Sequence, residues 1–144
     1  MQPLHGSYLT PVYENARVQD AMRVGLFSCP PETPLRDVAR MMATHHVHSV
    51  IVTDLGPEAS GERPWSVVSD LDLVRAGDAT ERTAGEVAAT ELVTVAADDR
   101  LAHAAQLMSE HDISHLVVVQ PATGKPVGVL STLDIAGVVA WGEG

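Results

Sequence analysis

The chain has 144 residues, enough for one compact domain or two small ones; with 45% hydrophobic and 19% charged residues it should fold around a core. A formal charge of −10, with no stripe or patch of Lys and Arg, argues against nucleic acid or an anionic membrane as partner. One cysteine excludes an internal disulfide and a Cys-based zinc cage, and neither a membrane-length apolar run nor a signal-peptide start appears, so a soluble cytoplasmic protein is expected.

Residues 1 to 16 hold Pro3, Gly6 and Pro11 without a sustained period and read as an irregular arm, with apolar Leu4, Tyr8, Leu9, Val12 and Tyr13 available to dock on a neighbour. Glu14 to Met22 predicts a short helix, and Leu26-Phe27-Ser28 a short strand. Thr33-Pro34 reads as a helix start, a cap followed by Pro at the first helical position, and Leu35, Val38, Ala39 and Met42 fall on one face of a helix ending near His45. A β-branched run from His48 to Thr53 predicts a strand, the Gly/Pro-containing Leu55 to Arg63 a loop, and Trp65 to Val68 a second strand. A short helix, Leu71 to Ala76, closes the series.

The same series then returns. Leu92 to Val95 predicts a strand and Asp98-Asp99 a helix start, the acidic pair reading as N-terminal helix charge. Leu101, Ala104, Ala105 and Met108 share a helical face ending near His111; His115 to Val119 and Val127 to Leu130 predict two strands, and Leu133 to Val139 a helix. Leu35, Ala39, Met42, His45 and Val52 recur as Leu101, Ala105, Met108, His111 and Val118, each numbered 66 higher. Past the loop the interval is 62: Pro64, Val67, Ser69, Leu71 and Asp72 recur as Pro126, Val129, Ser131, Leu133 and Asp134. Matches in order, with one gap placed in a turn, indicate an internal duplication.

The fold class is therefore α+β, a tandem β-α-β-β-α repeat: arm 1–16, first repeat 17–77, linker 78–83, second repeat 84–140 and tail 141–144. A repeat of about 60 residues buries little surface alone. Two copies related by a pseudo-twofold axis would cover each other's open faces and leave clefts, the expected place for function. With aromatics at 3%, the core must come from Val, Leu, Ile, Met and Ala.

Each repeat runs a short apolar strand into a Ser-x-x-Asp step, Ser69 to Asp72 and Ser131 to Asp134. At such a junction the first helical N–H groups lack intrahelical partners and the dipole favours an anion. The hydroxyl and the carboxylate lie on one side of the turn and can serve one ligand. The same pattern is a helix capping box. The readings are compatible, because a cap can give up its hydrogen bonds to a ligand. Gly128 removes a Cβ where a ligand could approach the backbone, and Ser66 fills that position in the first copy. Cations able to offset a phosphate are few: Arg75, Arg36, Arg100 and Lys125.

Other constellations carry less. His46 and His48 would share one strand face, and His45 and His111 would end helices, where the dipole favours them; no Cys or acidic ligand stands at zinc-like spacing, so no metal is expected. Cys29 lacks an evident base and reads as a small buried residue, and Met41 and Met42 as core or dimer surface. No enzyme is indicated.

The order of elements, the duplication, Ile113-Ser114-His115-Leu116-Val117-Val118-Val119 and Gly128-Val129-Leu130-Ser131-Thr132-Leu133-Asp134 resemble a cystathionine-β-synthase (CBS) domain pair over roughly residues 18–140. The resemblance implies a stand-alone regulatory module that binds adenosine-containing ligands (AMP, ADP, ATP or S-adenosylmethionine) in one or both clefts. It needs no cofactor, pairs into a homodimer and acts on an effector protein not readable here. It assigns Ser131 to phosphate and Asp134 to the ribose hydroxyls, with Ser69 and Asp72 their counterparts. It further places Ile51 and Val117 in the adenine slots, His115 on a pocket wall, Gly128 beside the ligand, and Ser28 and Thr94 at the first-strand edge. Such families often carry Pro where this chain has Ile51 and Val117, and Gly where it has Ser66. A module whose clefts are empty, serving only assembly, is the alternative.

Overall fold

The computed structural model describes residues 12–55, 64–77, 81–89 and 92–142; most of the expected N-terminal arm and most of the Leu55 to Arg63 loop lie outside them. In chain order the first half holds α1 (Val18–Ala21), β1 (Ser28–Cys29), α2 (Leu35–His45), β2 (Ser49–Val52), β3 (Ser66–Ser69) and α3 (Asp70–Ala76). The second holds α4 (Ala84–Val87), β4 (Thr94–Ala96), α5 (Leu101–His111), β5 (His115–Val119), β6 (Pro126–Ser131) and α6 (Thr132–Trp141). The chain is α+β and repeats one series of elements twice, as the 66- and 62-residue intervals predict. No helix among the described residues is long and apolar enough to cross a membrane.

The compact units are Leu26–Leu92, here the central unit, and a discontinuous unit of Met1–Gly25 with Val93–Gly144. Each holds one three-stranded sheet, β1-β2-β3 or β4-β5-β6. The first two strands are parallel and the last two antiparallel. A parallel pair needs a crossover, supplied by α2 in one unit and α5 in the other, whereas the antiparallel pair needs only a turn.

Alternation along the strands decides which side chains enter the core. In the discontinuous unit Leu116, Val118 and Leu130 pack with Leu101, Ala104 and Met108 of α5 and with Val18 of α1. In the central unit Val50, Val52 and Val68 pack with Leu35, Val38 and Met42 of α2 and with Ala84 of α4. The helical faces read from the sequence are the ones that enter these cores. Burying each such side chain is worth roughly 1.5–3 kcal/mol.

The long helices start differently from expectation. Pro34 is the N-cap of α2 and not its first helical residue, and Arg100, not Asp98 or Asp99, is the N-cap of α5. Neither cap uses a side chain. The first helical N–H of α2, at Leu35, donates to the Arg82 carbonyl at 2.9 Å, and that of α5, at Leu101, donates to the Ala16 carbonyl at 2.9 Å. Arg82 and Ala16 precede α4 and α1, so each short helix is tied to the N-terminus of the long helix it packs beside. The expected Glu14 to Met22 helix is accordingly confined to Val18–Ala21. Tyr13 to Asn15 make a turn, and Ala16 is committed to capping α5. Asp20 accepts from the Arg17 N–H at 2.7 Å, and Glu86 from the Thr83 N–H at 2.8 Å, which fixes these one-turn helices at their starts.

Both long helices end on a non-glycine residue in the left-handed region, His46 at φ 55° and Asp112 at φ 53°. His46 and His48 therefore do not share a strand face. The reversal at His46 leaves β2 to begin only at Ser49, and His48 instead meets the Asp70 carboxylate at 2.8 Å. His45 and His111 are the last residues of their helices, and the His45 ring stacks on Phe27 at 4.1 Å between centroids.

Candidate functional site

Each antiparallel pair delivers a Ser-x-x-Asp step to a helix start. β3 runs straight into α3 and β6 into α6, so Ser69 and Ser131 are at once the last strand residue and the helix N-cap. Extended backbone at these serines (φ −102° and −115°) turns the hydroxyl toward the helix. Ser69 accepts from the Asp72 N–H at 3.2 Å and its own N–H donates to the Asp72 carboxylate at 2.8 Å. In the other unit the corresponding distances for Ser131 and Asp134 are 3.1 and 2.9 Å. Both steps are thus complete capping boxes. The hydroxyl proton and the remaining carboxylate lone pairs stay available for other partners.

The helix starts are further occupied by the chain itself. The Asp70 N–H donates to the His48 carbonyl at 2.9 Å and the Thr132 N–H to the Ser114 carbonyl at 3.0 Å. With the third N–H taken by serine, the Leu133 N–H is the first-turn donor of α6 without a partner among the described residues.

Sheet register brings the other sequence-chosen residues toward these steps. Ser28 pairs with Ile51 across β1 and β2, and Thr94 with Val117 across β4 and β5. His115 lies opposite Ser131 across β5 and β6, and its Nδ1 is 2.9 Å from the Ser114 hydroxyl. Val117 and Ile51 are buried, yet alternation turns them away from the core cluster of their own unit, onto the sheet face that also carries Thr94 or Ser28.

Gly128 has a different neighbour from the expected ligand. A Cβ there would stand 2.8 Å from the Arg23 carbonyl and 2.8 Å from the Met22 sulfur. The segment after α1 occupies that space and forms an isolated antiparallel bridge to β6: the Arg23 N–H donates to the Val129 carbonyl at 2.9 Å and the Val129 N–H to the Arg23 carbonyl at 3.0 Å. In the central unit Ala89, which stands 66 residues after Arg23, donates to the Val67 carbonyl at 3.0 Å. Its own carbonyl accepts the hydroxyl of the fully buried Ser66 at 2.6 Å. Ser66 thus bonds to its own unit's backbone.

Sequence reasoning missed Arg23. Its Nε donates to Asp134 at 2.9 Å, and while the Asp134 side chain is 8% exposed, that of Arg23 is 71% exposed. Only folding reveals the pair, because the two residues are 111 apart in the chain. Of the cations singled out from sequence, Arg36 and Arg100 sit at the starts of α2 and α5, Arg75 in the last turn of α3, and Lys125 in the exposed turn before β6. None of them pairs with either step among the described residues.

Cys29 and Asp99 are shifted from their ordinary values. Burial pushes the Cys29 thiol up, with the nearby Glu32 charge adding to it and a Thr33 hydrogen bond opposing it. Burial would raise the Asp99 carboxyl, but hydrogen bonds from His103 and the Arg100 N–H, with the charges of His103 and Arg17, hold it below its usual value. No group of three or more His, Cys, Asp or Glu residues placed to hold a metal ion occurs among the described residues.

The CBS domain family matches the chain twice, at residues 18–78 and 84–140. An uncharacterized protein of Methanocaldococcus jannaschii is 22% identical over 126 residues, covering 88% of this chain and 40% of that protein, so the chain spans about two fifths of that relative's length. A CBS domain protein from Pyrobaculum aerophilum, solved in complex with AMP, superposes with a TM-score of 0.70 at 28% identity, covering 87% of this chain and 98% of that one. The CBS domain pair of protein MJ0100, in complex with 5′-methylthioadenosine and S-adenosyl-L-methionine, superposes at 0.72 with 18% identity, covering 87% and 96%.

Proposed function

The chain is a tandem pair of CBS domains, and on that footing we propose that it is a cytoplasmic regulatory module that senses adenosine-containing nucleotides (AMP, ADP or ATP, or S-adenosylmethionine) and transmits binding through a change of conformation or of dimer contacts. It performs no catalysis. Ser131 meets the phosphate and Asp134 the ribose hydroxyls; Thr94, His115 and Val117 surround them. Ser69, Asp72, Ser28 and Ile51 are the counterparts in the central unit. A carboxylate accepts from both ribose hydroxyls at once, and such charged hydrogen bonds are the strong ones.

The observation that carries this reading is the double occurrence of one geometry: the same four-residue step, at a strand-to-helix junction, with matching distances. The AMP complex of the 28% identical relative supports the ligand class. Exposed Leu71 and Val74 on α3 of the central unit and, separately, Leu133, Val139 and Trp141 on α6 of the discontinuous unit give each unit an apolar helix surface for homodimerisation, and an effector protein would read the result. The same surfaces support the second reading, an assembly module that needs no small molecule.

A thermal-shift series with adenosine, AMP, ADP, ATP and S-adenosylmethionine separates the two. Ligand at a hundred times its dissociation constant adds about 2.7 kcal/mol to the folded state. Asp134→Ala should weaken the response more than Asp72→Ala. Absence of stabilisation by every one of these compounds at millimolar concentration would refute the sensing role.

A further inference from the structure

The two steps match in backbone and capping geometry but differ in charge. Asp134 is paired with Arg23, whereas Asp72 has no cationic partner among the described residues, and Ala89 stands where the repeat would place a second arginine. We propose that Arg23 reads phosphate at the Asp134 step, so that the discontinuous unit selects a phosphorylated adenosine while the central unit, whose Asp72 carboxylate is not offset, shows no preference for the phosphate over adenosine and disfavours it. The inference rests on the nucleotide-sensing function proposed above.

A chain of charge −10 repels a phosphate, and an unpaired carboxylate beside the binding hydroxyl would repel it further. Arg23 cancels that carboxylate through a single donor, Nε. A guanidinium has five N–H donors, and the two Nη groups of Arg23 have no partner among the described residues. They form the planar fork that suits phosphate oxygens, and the side chain is open to solvent. Its root is fixed, because the Arg23 backbone is bonded to Val129 in both directions, two residues before Ser131. The fork, the Ser131 hydroxyl and the Leu133 N–H are therefore offered from one small region of one unit, next to a carboxylate already neutralised.

The competing role for Arg23 is a plug that withholds Asp134 from ribose. The two make opposite predictions. Dissociation constants of adenosine and of AMP are measured by calorimetry for the intact chain, Arg23→Gln, Arg23→Lys and Ala89→Arg, with thermal melts of each. Because the Arg23 backbone bonds do not depend on its side chain, Arg23→Gln should stay folded, melting somewhat below the intact chain for loss of the cation beside the nearly buried Asp134. It should lose about tenfold in AMP affinity, the scale of a charge-assisted contact, and nothing in adenosine affinity. Arg23→Lys should keep part of the AMP preference, and its remaining preference should fall with added salt. Ala89→Arg should create AMP preference at a second site. An unchanged ratio of AMP to adenosine affinity in Arg23→Gln overturns the proposal, as does tighter binding of both, which marks a plug. If the intact chain binds neither compound, the sensing function itself fails, and that result differs from an intact chain that binds both while ignoring Arg23→Gln.

Discussion

Replacing Gly128 by alanine adds one methyl group at the point where the post-α1 segment meets β6. The new carbon would stand 2.8 Å from the Arg23 carbonyl oxygen, 2.8 Å from the Met22 sulfur and 3.2 Å from its Cγ. The sulfur can swing away, but the carbonyl cannot move freely, because it accepts from Val129 at 3.0 Å while the Arg23 N–H donates back at 2.9 Å. Relief requires the whole segment to lift by several tenths of an ångström, which strains both bonds. Overpacking of this kind costs about 1–3 kcal/mol. Against it stands the usual gain from replacing glycine, about 0.4–1 kcal/mol, so the overlap should prevail. At about 2–4 °C per kcal/mol for a chain of this size, far-UV circular dichroism should show a melting point lowered by several degrees. A variant as stable as the parent, or more so, would show that the segment is not held against β6 as described. The same lift displaces the root of Arg23, so any AMP preference should fall in parallel.

Two further outcomes follow from the shifted titrations. Because the folded Asp99 carboxyl lies below the ordinary carboxylate value, its contribution is fully present above that ordinary value and is lost as pH falls through the folded one. Asp99→Asn should therefore destabilise the fold at neutral pH, and urea titrations should show the gap closing as acid protonates the carboxyl; a gap independent of pH would refute the assignment. Cys29 is buried with its thiol raised, so iodoacetamide at pH 7.5 should label it only on unfolding, as mass spectrometry would show. Stoichiometric labelling of the native protein within minutes would contradict that placement.

Much of the framework was legible because it rests on periodicity and local chemistry. Leu35, Val38 and Met42, and Leu101, Ala104 and Met108, announce core-facing helices through their spacing alone, and all six are buried. Ser69 to Asp72 and Ser131 to Asp134 announce their helix starts through the capping pattern. What could not be read is whatever depends on backbone from a distant segment. The caps of α2 and α5 are carbonyls of Arg82 and Ala16, and a carbonyl is present at every position, so no residue type marks it. α4 was passed over although Thr83 and Glu86 form a capping box, because four helical residues give no period to detect.

The difference between the two halves then reduces to paired exchanges on a duplicated frame. Where position 128 is glycine, the segment after α1 bridges to β6 with two backbone bonds and carries Arg23 to Asp134. Where position 66 is serine, its hydroxyl donates to the carbonyl of Ala89, the residue that stands where the repeat would place an arginine. A glycine alone would leave Asp134 as exposed to repulsion as any carboxylate, and Arg23 reaches it from a backbone held by its bonds to Val129. The two residues act together: close approach sets the position and arginine supplies the charge. Duplication supplies two matching cradles of hydroxyl and carboxylate, and the residue that the neighbouring backbone segment presents, Arg23 or Ala89, sets the charge beside each one.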